Sequence, residues 1–249
     1  PTRKARSGDG AAEPTIEVKS ALAADLTAIR LGGITIALEN LGQPQLIAGD
    51  ARITIAENPR IEIGLASRLL DLDALSRRPA TSSPIDTAQA LMSALMGQLP
   101  GDGSVDARFA VDQLTLGGEA VSGFRLALAR DSGPLEIREL RAAMPGASRL
   151  EISGRLTDGK SVPELDGQLL VRGASLNRFL AWAGKSPRLV EGRTDGPFLV
   201  RGQLRLSESA VRLDDATAEL SGVPVSGALS HTLANDRRRI AVELDVQQI

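Results

Sequence analysis

From Thr15 onward the chain alternates apolar and polar residues with a period of two, the spacing of a strand with one dry and one wet face. GGITIAL puts Ile34, Ile36 and Leu38 on one side, ARITIA does the same with Ile53 and Ile55, and IEIGL with Ile61, Ile63 and Leu65. SVDARFAV adds Val105, Phe109 and Val111, QLTL adds Leu114 and Leu116, and FRLAL adds Phe124, Leu126 and Leu128. The pattern runs on through LEIREL, RLEISGRL, DGQLLV, GPFLVRGQLRL, AVRLDD, ATAELSG and VPVSGAL to RRIAVELDV, with Ile240, Val242, Leu244 and Val246. Short runs separated by Gly, Asp or Pro predict a long antiparallel meander of more than a dozen strands.

Three islands break the rhythm. After IEIGL the period lengthens, and Leu69, Leu72 and Leu75, with Asp71, Asp73, Arg77 and Arg78 between them, predict a short amphipathic helix from Leu69 to Arg77. A second begins at TSSPID, where Ser83 can cap, Pro84 suits the first helical position and Asp86 sits in the first turn; its stripe is Ile85, Ala88, Met92, Leu95 and Leu99. The third is SLNRFLAWAG, capped by Ser175, with Leu176, Phe179, Leu180 and Ala183 on one face and Gly184 to stop it.

The strand-into-helix unit recurs. PELDGQLLVRGASLNRF at Pro163 falls on PRIEIGLASRLLDLDAL at Pro59 with an offset of 104 residues, and QLRLSESAV at Gln203 falls on QLTLGGEAV at Gln113 with an offset of 90. The copies therefore carry unequal insertions, and the TSSPID helix fills much of the difference. Repeated β units that each expose an apolar face must stack or curl together to bury it. The expected organisation is a linker over 1–14, a β-rich unit over 15–145 with a helical insertion at about 84–99, and a second unit over 146–249 with a short helix at about 175–184.

Composition narrows what such a sheet can do. Hydrophobic residues make up 42% of the 249, enough for a core, yet only 2% are aromatic, so Leu, Ile, Val and Ala must do the packing. A formal charge of −2 supplies no global field for nucleic acid, and stacking platforms for bases are nearly absent. There is no cysteine, which removes disulfides, thiolate metal sites and thiol nucleophiles. The chain opens on Pro1 with no signal-peptide pattern and no apolar run of membrane-spanning length, so a piece excised from a longer protein is expected. Arg3, Lys4 and Arg6 read as part of a solvated lead.

Catalytic chemistry finds no foothold. His231 is the single histidine and has no Cys or second His to complete a metal site, nor any GxSxG elbow to serve. Asp71 and Asp73 interleave with leucines on what reads as a wet helix face, and Asp214 with Asp215 reads as a turn. GDG at Gly101 to Gly103 lacks the lysine and helix of a phosphate loop and reads as a hairpin turn. Met92 and Met96 read as core packing rather than an adaptable binding stripe. No catalytic residue, metal or cofactor is expected.

A sheet with one dry face needs something to lie against it: another sheet, its own closure, or a hydrophobic ligand. An aliphatic lining suits flexible hydrocarbon, each buried methylene of which contributes about 0.8 kcal/mol. By parity the lining would be Ile34, Ile36, Leu38, Ile53, Ile55, Ile61, Ile63, Phe109, Val111, Leu114, Leu116, Ile240, Val242 and Leu244. A scaffold with a sealed core, binding partners through its strand edges, needs the same alternation.

The units IEIGLASRLLDLDALSRR and GQLLVRGASLNRFLAWAG, with the following GPFLVRGQLRLSESAVRLDDATAELSGVPVSGALS, resemble the AsmA family of bacterial envelope proteins, over most of the chain from about Ala48. The resemblance implies a mainly β fold, a long curved antiparallel meander or β-groove of repeated strand units with a few short amphipathic helices. It also implies a periplasmic, non-enzymatic lipid-binding or lipid-transfer segment that holds phospholipid acyl chains on the way to the outer membrane. Its partners would be phospholipid or another acyl-chain lipid, envelope proteins, and the inner membrane through an N-terminal anchor absent from this sequence. The alternative is an assembly scaffold for outer-membrane proteins.

Overall fold

The computed structural model describes residues 15–39, 44–76, 83–85, 87, 103–131, 133–157, 164–184, 195–207, 210–234 and 237–246. They form one sheet of 13 strands laid in sequence order. The strands are β1 (Thr15–Ala24), β2 (Ala28–Glu39), β3 (Gln45–Thr54), β4 (Arg60–Asp71), β5 (Ser104–Leu116), β6 (Glu119–Arg130), β7 (Leu135–Met144), β8 (Ser148–Thr157), β9 (Glu164–Gly173), β10 (Phe198–Leu206), β11 (Ala210–Leu220), β12 (Val223–Ala234) and β13 (Arg237–Val246). Two helices are described, α1 (Leu72–Leu75) and α2 (Leu176–Gly184). The expected fold class, a mainly β curved meander with a few short helices, is what the chain adopts.

Every neighbouring pair is antiparallel except β4 and β5, which run parallel from Arg60↔Ser104 to Asp71↔Thr115. A parallel pair needs a crossover to return the chain to the starting end, and the residues between Asp71 and Ser104 supply it. Of GDG only Gly103 falls among the described residues; it leads into β5, which is not an antiparallel partner of β4, and the Ser104 N–H donates to Pro59 O at 2.9 Å. In the second copy β9 and β10 are antiparallel. The offset of 104 lays β4 and α1 on β9 and α2, and the offset of 90 lays β5 to β8 on β10 to β13. The repeat is one of element order, and the unequal insertion reverses the direction in which the second set of strands enters the sheet.

The helix expected from Leu69 to Arg77 starts later. Leu69 and Leu70 stay in the ladder opposite Gln113 and Leu114, and only at Asp71, whose Oδ1 accepts from Ala74 N at 2.9 Å, does the chain turn into α1. Ser175, its counterpart in the repeat, caps α2 by accepting from Arg178 N at 3.2 Å, as its position in SLNRFLAWAG predicts. Of the TSSPID helix only Ser83 to Ile85 and Thr87 fall among the described residues. There Ser83 Oγ accepts from Ile85 N at 3.2 Å and donates to Ala183 O at 3.4 Å, so the segment starts against α2.

A crease crosses the sheet at mid-strand. Pairing slips between Lys19 and Ala21 in β1, Leu31 and Ile34 in β2, Ile137 and Leu140 in β7, Arg201 and Gln203 in β10, and Leu213 and Ala216 in β11. In β5 and β6 the pair Asp112 and Gly123 drops out of the ladder. Bulges increase local twist and bend the strand, and aligned across a sheet they curl it. They also shift parity. Val111 and Leu114 are three apart, yet both are buried, at 0% and 1% exposure, in one cluster that also takes Phe109 and Leu116. Asp214 and Asp215 belong to this crease and form no turn between strands: they sit inside β11, with Asp215 at φ 49 and Asp214 ion-paired to Arg205 at 3.4 Å.

The crease divides the core. At one end α2 and α1 lie over a cluster containing Leu38, Leu70, Val111, Leu114, Val121 and Phe198, and all four Phe and the single Trp belong to it. At the other end Val105, Leu128, Ile137, Leu156, Leu165, Leu204 and Leu213 form a cluster with no aromatic member. The outer face carries same-strand ion pairs such as Glu17 with Lys19, Arg60 with Glu62, Asp106 with Arg108 and Glu139 with Arg141. These pairs are solvent-exposed and contribute little to stability; they keep that face wet.

Candidate functional site: an aliphatic wall on the inner face

Cross-strand partners point to the same side of a sheet, so the register defines the inner wall. In β1 it is Ile16, Val18 and Leu22, opposite Leu38, Ile36 and Leu31 of β2. Ile36 and Ile34 stand opposite Ile47 and Gly49 of β3, and Ile53 and Ala51 opposite Ile61 and Ile63 of β4. Over β1 to β3 this face carries no charged side chain. Its one large polar residue, Gln45, is buried beside the helical end and accepts from Asp71 N at 2.7 Å.

Burial varies along the wall and the core it joins. Ile34, Leu38, Val111 and Leu114 are buried, whereas Ile36, Ile53, Ile61, Ile63, Phe109 and Leu116 are half-buried. Towards the β1 edge the wall opens to solvent, with Ile16 at 52% and Val18 at 51% exposure. On the far side Leu229, opposite Leu213, is exposed as well. Ile240, Val242 and Leu244 pair with His231, Leu229 and Gly227 in the ladder, and their side chains lie outside the described residues. Ile55 does not belong with Ile53 in a strand: β3 ends at Thr54, and Ile55 is half exposed in the connection to β4, its N–H donating to Thr27 O at 2.7 Å.

The carboxylates have structural posts. Asp73, expected on a wet face, is buried, and its two oxygens accept from Gly117 N at 2.9 Å and Gly118 N at 2.7 Å in the β5–β6 turn. Gly117 and Gly118 both have positive φ, 59° and 72°, the two-residue hairpin geometry that leaves adjacent N–H groups pointing the same way. From the other side α2 reaches the same hairpin: Trp182 Nε1 donates to Leu116 O at 2.9 Å, and Arg178 pairs with Glu119 at 2.5 Å. Two helices from two copies of the repeat thus clamp one turn. Asp73→Ala removes the shared acceptor and is expected to cost about 2 to 4 kcal/mol in denaturant unfolding, with faster amide exchange at Gly117 and Gly118. Unchanged exchange there would contradict the clamp.

Two further acids are held ionised by local donors. The Thr27 hydroxyl, then the Thr27 and Ala28 N–H groups and Arg30, hold the Asp25 carboxyl well below the usual carboxylate range. The Asn177 N–H and then the Ser175 hydroxyl lower Asp195 beside the start of α2. Neither faces a cavity lined for catalysis. Two open depressions lie on the outer face: one, of about 510 Å³, is bordered by Arg30, Asp50, Arg52, Glu62, Asp106 and Arg108, and the other by Arg138, Glu139, Arg141, Glu151 and Arg201. Among the described residues no three His, Asp or Glu converge as metal ligands, and no helix is long and apolar enough to cross a membrane. The His231 side chain, Met92, Met96, and Arg3, Lys4 and Arg6 lie outside the described residues.

Sequence reasoning passed over the parallel β4–β5 pair, the Asp73 clamp and the β1–β2 turn. The last two had signals: Gly-Gly between alternating runs marks a hairpin, and Asp-Leu-Thr is an Asx-turn pattern. No family model, no curated protein and no solved structure matches this chain.

Proposed function

We propose that this chain is a non-enzymatic lipid-handling segment whose inner wall over β1 to β4 holds acyl chains during transfer between membranes of a bacterial envelope, in the periplasm, as its resemblance to AsmA-like proteins implies. The observation that supports this reading is the wall itself: contiguous, aliphatic over β1 to β4, uncharged over β1 to β3 and only partly covered by the chain's own atoms, least towards β1. A Leu, Ile or Val left half exposed forgoes part of the roughly 1.5–3 kcal/mol that full burial contributes, and an acyl chain laid along the wall would recover it without a hydrogen bond.

Protein purified from bacterial envelopes, analysed by native mass spectrometry and organic extraction, is expected to carry phospholipid in proportion to chain. Ile63→Asp, which sets a charge midway along the wall at a half-buried position, is expected to abolish that lipid while circular dichroism keeps its β spectrum. Should the variant unfold, Ile63→Ala is expected to halve the recovered lipid or more in a folded protein. Lipid-free wild-type protein would overturn the reading.

A second reading draws on the sealed part. Val105, Val111, Leu114 and Val121 are buried by the protein itself at 2% exposure or less, as in a scaffold that engages partners through its strand edges and carries no cargo. Recovery of partner protein without lipid would favour it.

A further inference from the structure

Three aliphatic side chains stand in solvent at the end of the sheet that neither α1 nor α2 covers. Leu26, at the tip of the β1–β2 turn, is 96% exposed, Leu22 is 68% exposed, and Ile55, bonded through its N–H to Thr27 O, is 50% exposed. Single exposed leucines are ordinary, but a group of them on one tip is not. The turn that presents them is held tightly. Asp25 Oδ1 accepts from Thr27 N at 2.8 Å, Thr27 Oγ1 at 2.6 Å and Ala28 N at 2.9 Å, Asp25 Oδ2 accepts from Arg30 at 3.0 Å, and the Asp25 N–H donates to Ala28 O at 2.9 Å.

This shape and chemistry select the occupant. A protein interface needs on the order of 800 Å² per partner around a packed centre, and a narrow turn with one foremost leucine offers no such centre. A bilayer needs only a few apolar side chains entering its outer 5–10 Å or so. Entry into that low-dielectric layer is costly for unsatisfied backbone, and here the N–H groups of Asp25, Thr27 and Ala28 and the carbonyls of Thr27 and Ala28 are already paired. The tip is also continuous with the wall, since Leu22 stands opposite Leu31 on the inner face.

We infer that the β1–β2 turn is a bilayer contact, with Leu26 foremost, and that Leu22 leads from the membrane surface onto the aliphatic wall. A contact of so few side chains is weak and reversible, as a segment that loads and leaves requires. The purpose assigned to the contact rests on the acyl-chain reading, but its existence is tested separately.

Because the chain has no cysteine, Leu26→Cys can carry the only label, an environment-sensitive nitrobenzoxadiazole, with Arg149→Cys as control at the exposed start of β8, at the helical end. On adding vesicles of phosphatidylethanolamine with a minor fraction of phosphatidylglycerol, the label at 26 is expected to brighten and shift to the blue while the label at 149 stays unchanged. Leu26→Asp, at a position with no packing to lose, is expected to weaken vesicle flotation by about tenfold or more with an unchanged circular dichroism spectrum. A silent label at 26, or equal responses at both sites, would overturn the contact, and a tip that serves a protein partner would give the silent label. Lipid-bearing protein with a silent label would remove the contact and leave the cargo; a responding label on protein that never carries lipid would remove the cargo and leave the contact.

Discussion

Replacing Gly167 with alanine is expected to lower the free energy of unfolding by about 3 kcal/mol or more, at the upper end of what overpacking and backbone strain produce. The reason lies in the β8–β9 crossing, where Gly154 stands opposite Gly167. A Cβ on Gly167 would lie 2.1 Å from Ser153 O and 2.8 Å from the Gly154 Cα, and a Cβ on Gly154 would lie 2.5 Å from Asp166 O. These neighbours are backbone, so no rotamer change relieves the contact, and the two strands must part at the crease that curls the sheet. Loss of curl there would expose Leu156 and Leu165, which flank the pair on the inner face. Gly64→Ala supplies the control, because a Cβ at that position meets nothing within 4 Å; it is expected to be neutral, or stabilising by about 0.4–1 kcal/mol through the unfolded chain. Urea unfolding of the two variants side by side decides the matter, and an equal loss in both would mean that strand propensity rather than close approach explains Gly167.

Trp182→Ala is expected to cost about 3–5 kcal/mol, the range for removing a large aromatic side chain from a core. Trp182 is buried at 5% exposure, lies 6.1 Å from the Phe179 ring, which in turn lies 5.3 Å from that of Phe198, and donates Nε1 to Leu116 O. Its loss would unseat α2 from the β5–β6 hairpin and open the aromatic end of the core. Trp182→Phe keeps most of the area and loses the hydrogen bond, so it should forfeit only about 1–2 kcal/mol. Circular dichroism must follow these variants, since they remove the only tryptophan. In the parent chain the same residue reports on itself: its fluorescence is expected to be blue-shifted when folded and to move to the red in step with the loss of β signal. A red emission in the folded protein would contradict a buried helical cap.

These two variants act on the features that give the molecule its polarity. One end is closed by helices, aromatic rings and satisfied polar groups such as Asp73 and Ser148, the latter donating to Pro145 O at 2.7 Å. The other end is aliphatic, and beside it stands the β1–β2 tip. On the proposed acyl-chain reading, a chain lying on the wall would meet the closed end as a stop and would load from the other end.

The strands were legible because period-two alternation is local. Ile34, Ile36 and Leu38, or Ile61, Ile63 and Leu65, declare a face without reference to any partner, and Ser175 and Gly184 mark a helix within one short stretch. The extent of the first helix was less so: Leu69 and Leu70 satisfy a helical spacing, yet the ladder to Gln113 and Leu114 holds them in β4. The sharing of one face by Phe109, Val111, Leu114 and Leu116 depends on a break in the ladder that no alternation rule supplies, because the loss of pairing at Asp112 and Gly123 involves two strands at once.

By itself, then, the sequence determined that this protein is mainly β, one-sided and aliphatic, with repeated strand-into-helix units, since each of these is written in neighbouring residues. Only the tertiary structure decided that β4 and β5 run parallel, that Asp73 is a buried clamp rather than a solvated acid, and that the inner face, a mixture of buried and half-buried side chains across the sheet, opens to solvent towards β1. Those outcomes depend on which segments meet across tens of residues and on how far aligned bulges curl the sheet, and the energy of burial is settled only when the opposite wall arrives.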